Sequence, residues 1–124
     1  FFTLSGVFCR MSTYETISAD ELAALLASEE PILLVDVRSA AETAQGVIER
    51  AQLLPLHLVP MNVDKFMGHE RVVIYCHSGA RSGQACHFLA QQGIEGLFNL
   101  EGGNLFWHMG GHPIAPVSKA TPLV

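Results

Sequence analysis

The stretch RVVIYCHSGARS, residues 71–82, decides the fold. Val72, Val73, Ile74 and Tyr75 form an unbroken apolar run of β-branched and aromatic residues. That is the pattern of a strand covered on both faces. The run ends at Cys76. His77, Ser78, Gly79 and Ala80 follow, and Arg81 and Ser82 open a helical pattern over residues 81–92, with Gly93 suited to its C-cap. The segment reads as a buried strand, a tight loop and a helix.

Working outward, the same alternation recurs. Ser18 and Glu21 form a capping box, and Leu22, Leu25 and Leu26 fall on one face of the short helix behind it. Residues 32–35 (ILLV) form a second strand that runs out into Asp36-Val37-Arg38. Residues 40–44 suit one or two helical turns. Residues 51–56 form another short apolar run, 57–67 are expected to be helical after Pro60, and 97–100 form a last strand. Gly102-Gly103 then precedes a short helix carrying Trp107. Strands alternating with helices predict an open α/β domain with a mostly parallel sheet. Such sheets bind ligands beyond the carboxyl ends of their strands, which puts Asp36, Arg38 and Cys76 on one rim.

The chain has 124 residues, 49% hydrophobic and 15% charged, enough for one domain with its own core. Residues 1–10 are expected to be an extension that need not be native, 11–112 the domain, and 113–124 an extended tail. Seven Lys and Arg against twelve Asp and Glu give a net charge of −5, a poor match to nucleic acid. No apolar run reaches the roughly 18 residues of a membrane-spanning helix. The three Cys, at positions 9, 76 and 86, show no paired spacing, so a reducing, cytoplasmic location is expected.

The loop after Cys76 carries the chemistry. Its backbone N–H groups have no ladder or helical partner. If the loop curls, they point at the sulfur as an anion-binding nest. The helix N-terminus adds about half a positive charge, and Arg81 adds a full one. All of these favour thiolate over thiol. A free Cys, with a pKa near 8.5, is only about 3% thiolate at pH 7, whereas settings of this kind lower the pKa to about 3.5–7.5. The alternative, an inert buried Cys at a strand end, accounts for Cys76 alone but not for the Cys-x4-Arg-Ser spacing between strand and helix.

These residues resemble the single-domain rhodanese (sulfurtransferase) family. The resemblance rests on Asp36-Val37-Arg38, Glu42 and Gly46, Ala51 and Pro55, the loop C-H-S-G-A-R-S at 76–82, and Glu101-Gly102-Gly103 with Trp107. The chain departs from the family where His, Pro and Gly are usual and Val47, Glu49 and Arg50 stand instead. The resemblance implies a roughly five-stranded parallel sheet flanked by helices. It also implies a cycle in which the Cys76 thiolate takes sulfane sulfur from a donor such as thiosulfate. The sulfur is held as a persulfide and passed to a thiol, to cyanide or to a partner protein, with no metal or cofactor. The Cys76-to-Arg81 loop of six residues is the size the family uses for sulfur; related phosphatases use one more.

In this reading Cys76 is the nucleophile and His77, Ser78, Gly79, Ala80, Arg81 and Ser82 form the substrate- and persulfide-binding loop. Asp36, Arg38, Glu42 and Trp107 support the pocket, with Asp36 and Arg38 paired to each other or to Glu42. Cys86, on the following helix, reads as a buried apolar residue rather than a resolving thiol. Two other functions stay open: a sulfur-relay carrier serving a protein partner, and a phosphatase or arsenate-reductase-like enzyme.

Overall fold

The structure, a computed structural model, describes residues 13–124. The expected extension at 1–10, with Cys9, lies outside the described residues.

Among the described residues, six parallel strands form one sheet: β1 (Glu15–Ile17), β2 (Leu33–Asp36), β3 (Gln52–Leu53), β4 (Val72–Tyr75), β5 (Leu97–Leu100) and β6 (Thr121–Pro122), in the order β1-β5-β4-β2-β3-β6. The expected count was about five. Both short edge strands escape a local reading. β1 buries only Ile17, and β6 lies in the segment expected as a tail. That segment runs along the sheet edge, where Gln52 pairs with Thr121 and Leu53 with Pro122. A proline tolerates this place because its missing N–H is not needed on an edge.

The central strands meet the expectation of burial on both faces. All four residues of β2 and of β4 are buried, and the two strands pair from Leu33–Val72 to Asp36–Tyr75. Successive side chains point to opposite faces. Leu33, Val35, Val72, Ile74 and Cys76 join one core with Ala85, Cys86 and Leu89, whereas Leu34, Val73 and Tyr75 join the other with Leu22, Ile48 and Trp107.

Helices α1 (Ala19–Ala27), α2 (Ala40–Thr43), α3 (Ala80–Gln91) and α4 (Gly103–Met109) flank the sheet. The Ser18 capping box is present, with Ser18 Oγ accepting from Glu21 N and Glu21 Oε1 accepting from Ser18 N. A second box, Ser39 with Glu42, opens α2. The helix expected over 57–67 is a 3-10 segment, Leu56–Phe66, kinked where Asn62 leaves helical geometry (φ −132°, ψ 32°). Pro60 supplies no N–H and so cannot sustain a regular α-helical ladder. β2 begins and ends one residue later than expected, so Asp36 closes the strand instead of following it. Arg50, standing where the related family usually has Gly, takes φ +76°, a left-handed conformation that costs a non-glycine residue about 1 kcal/mol.

Candidate functional site

The carboxyl ends of β2 and β4 place Asp36 and Cys76 on one rim, as parallel pairing requires. From there the loop His77–Gly79 turns back toward its own cysteine. Gly79, at φ +106°, is the N-cap of α3, a conformation that favours a residue without Cβ. The turn aims three donors at the sulfur. Gly79 N lies 3.1 Å from Cys76 Sγ, and Ser82 N and Ser82 Oγ each lie 3.4 Å from it.

Outside the loop, α4 fixes its position. Asn104 N donates to Cys76 O at 2.8 Å, and Leu105 N donates to His77 O at 3.0 Å. The approach is close enough that a Cβ on Gly103 would fall 2.4 Å from Cys76 O and 2.7 Å from His77 O. This explains the glycine at position 103. The N-terminal turn of α4 satisfies its free N–H groups on the carbonyls of the cysteine loop.

Cys76 is buried, at 1% exposure. Burial pushes its thiol pKa up, but the hydrogen bonds from the Ser82 hydroxyl and from the backbone N–H of Ser82, Gly79 and Ser78 outweigh it, and the net shift is down. Ser82, fully buried, is therefore the side chain that favours thiolate most directly. The one proton of that hydroxyl is shared between the sulfur and the nearer Asn99 Oδ1, while Asn99 Nδ2 donates to Gly79 O at 3.1 Å. Asn99 on β5 thus braces both Ser82 and the glycine turn. Sequence reasoning missed it; the available signal was a polar residue near the carboxyl end of a parallel strand.

Arg81 sits differently from expectation. Its Nη1 and Nη2 donate to Glu42 Oε1 and Oε2, both at 2.7 Å, so its charge is neutralised 39 residues away in sequence. These hydrogen bonds, against a smaller desolvation penalty and aided by those from Ser39, hold the Glu42 carboxyl down to about 2. The pairing of Asp36 resolves within the Asp-Val-Arg segment. Arg38 Nε lies 3.0 and 3.1 Å from the two Asp36 oxygens, and Nη2 lies 2.8 Å from Oδ2 and 2.7 Å from Gly46 O. Both residues are buried, and the Arg38 guanidinium lies 5.7 Å from the Tyr75 ring centre.

Trp107 is in the core on the other face, its Nε1 donating to Pro113 O and its ring 4.6 Å from that of His112. It supports the site only through α4. His77 and Ser78 are exposed at the rim. Cys86 is fully buried, and burial first, then the neighbouring Cys76, pushes its thiol up to about 12.

These hydrogen bonds set a signed expectation. Ser82→Ala removes a hydroxyl–sulfur bond of about 1 kcal/mol, raises the Cys76 pKa, and slows iodoacetamide alkylation about fivefold at any pH below that pKa. Arg81→Ala combined with Glu42→Gln removes the pair as a neutral unit and changes the rate by less than about twofold. A larger effect from this paired loss than from Ser82→Ala would reverse the ranking.

The comparisons with known proteins place the chain in a family. The family model described as Rhodanese-like domain matches residues 18–109. A sulfurtransferase of Allochromatium vinosum is 48% identical over 98 residues, spanning 79% of this chain and 92% of the relative. The thiosulfate sulfurtransferase GlpE of Shewanella oneidensis is 26% identical over 102 residues, spanning 79% of this chain and 96% of that protein. The crystal structure of a rhodanese-like domain protein from Staphylococcus aureus superposes with a TM-score of 0.70 at 38% identity, covering 75% of this chain and 90% of that one. A parallel sheet that carries its cysteine loop between strand and helix, and a family match running from α1 to the end of α4, lead to one conclusion: the chain belongs to the rhodanese-like domain family.

Proposed function

We propose that this protein is a sulfurtransferase that carries sulfane sulfur on Cys76. The observation that carries the reading is the ring of N–H and hydroxyl donors around a buried sulfur. The arrangement stabilises a thiolate without a general base, and the same donors suit the persulfide that replaces it. With thiosulfate as donor, the Cys76 thiolate attacks the outer sulfur. An S–S bond forms to Cys76, the S–S bond of thiosulfate breaks, and sulfite leaves with the electron pair. An acceptor thiolate, or cyanide, then attacks the terminal sulfur and Cys76 leaves as thiolate.

In this cycle Cys76 is the nucleophile, and Ser78, Gly79 and Ser82 hold the negative charge on sulfur. His77 and Ala80 line the mouth, and Arg81 with Glu42 fixes the loop against α2. Asp36 and Arg38 hold the rim. The names of the relatives from Allochromatium and Shewanella support sulfur transfer, the second supporting thiosulfate as a donor. A phosphatase reading is less well supported, because it needs the loop arginine for phosphate and Arg81 is held by Glu42. The free thiols of Cys76 and Cys86 suit the reducing cytoplasm.

The test is intact mass after incubation with thiosulfate, with thiocyanate release on cyanide addition followed in parallel. A gain of one sulfur on Cys76 that cyanide removes as thiocyanate is the expected result. A stable adduct with slow turnover identifies a relay carrier whose acceptor is a protein. No adduct from thiosulfate or polysulfide removes the reading.

A further inference from the structure

Two arginines stand just beyond the carboxyl ends of β2 and β4, and each is held by its own carboxylate. Arg81 places both terminal nitrogens on Glu42, and Arg38 is bound to Asp36. Arg81 is close enough to Cys76 for the two charges to interact. Glu42 stays ionised at neutral pH, since its pKa is held down to about 2 by the hydrogen bonds from Arg81, against desolvation, together with those from Ser39. The two pairs together carry no net charge, so neither arginine is left to meet the sulfonate of a dianionic donor.

We infer that Glu42 is a specificity-determining residue which, by neutralising Arg81, turns the site toward organic hydropersulfides and away from oxyanionic donors such as thiosulfate. This rests on the sulfur-transfer reading above. With a hydropersulfide R–S–S–H, the Cys76 thiolate attacks the terminal sulfur, Cys76–S–S–H forms, and R–S⁻ leaves with the electron pair. The departing group is then a thiolate on a body that can be neutral, and no cation is needed to hold three sulfonate oxygens. With thiosulfate, the departing sulfite keeps two negative charges beside a cation already occupied by a carboxylate.

Glu42→Gln tests this directly. Glutamine at the third helical position preserves the capping box with Ser39, so α2 keeps its start while Arg81 loses its counter-charge. Second-order loading of Cys76 is followed by intact mass with two probes, thiosulfate and the hydropersulfide of 2-mercaptoethanol. Any change in Cys76 thiolate content affects both probes and cancels in their ratio. The expected result is a rise of about tenfold in the thiosulfate-to-hydropersulfide ratio, erased by high salt. The double variant Glu42→Gln/Arg81→Gln is expected to return the ratio to that of the unmodified protein. A ratio unchanged within about twofold in Glu42→Gln, or one that stays high in the double variant, overturns the assignment while leaving sulfur transfer intact. Loading of Cys76 by neither probe in the unmodified protein overturns the sulfur-transfer reading, and with it the role of Glu42.

Discussion

Cys76→Ser is expected to take up no sulfur from any donor, with thiocyanate formation reduced on the order of 10⁴-fold or more. The substitution is nearly isosteric, and the donors from Gly79 and Ser82 remain in place around the new oxygen. The loss is therefore chemical. A hydroxyl is not ionised by a few hydrogen bonds at neutral pH, whereas a thiol that starts near 8.5 needs only a modest downward shift. A serine also has no sulfur with which to carry the transferred atom as a persulfide. Intact mass after thiosulfate treatment reads the result directly. Cys86 provides the control: it is buried, and its thiol is pushed up to about 12, so Cys86→Ala should keep full loading. Sulfur retained on Cys76→Ser would remove Cys76 from the mechanism.

The part of this site that could be read from the sequence was the part built from neighbours. The β4 strand, its loop and α3 are contiguous, and four consecutive apolar residues specify burial on both faces without knowledge of the partners. The capping box at Ser18 is likewise a three-residue relation. What could not be read depends on distance along the chain. Glu42 was expected near Asp36 and Arg38, but it meets Arg81 in the first turn of α3, across 39 positions that no periodicity encodes. Asn99 looks like a polar position in a short strand until the fold brings its amide to Gly79 and Ser82. The edge strands were missed for a related reason. β1 and β6 have two or three residues each, little burial, and partners supplied only by the finished sheet. The loop geometry thus followed from local chemistry, while the distribution of charge around it was set by tertiary contacts, and that distribution moved the stabilisation of sulfur from Arg81 toward Ser82.

Asp36→Ala is expected to destabilise the fold by about 3–5 kcal/mol, seen as a lower urea midpoint with an unchanged slope. The reason is what it leaves behind. Arg38 has a side chain only 4% exposed, and Asp36 has 0%. Removing the carboxylate strands a guanidinium in the interior, where the Tyr75 ring and Gly46 O cannot replace a charge-bearing partner. Asp36 Oδ1 also accepts from Arg38 N at 2.9 Å, so the turn leaving β2 loses its own hydrogen bond. For a domain of ordinary stability, about 5–15 kcal/mol, this is a large share of the total. The effect should reach the site as well. Arg38 Nη2 holds Gly46 O just beyond α2, and α2 carries Glu42 to Arg81. A second variant separates the stranded charge from the lost contacts: Asp36→Leu combined with Arg38→Met replaces the pair by apolar groups of similar size and should recover most of the loss, because a buried ion pair is worth far less than the penalty for breaking one side of it. A cost below about 1 kcal/mol for Asp36→Ala would mean that Arg38 finds solvent or another partner, and that the pair does not hold the rim.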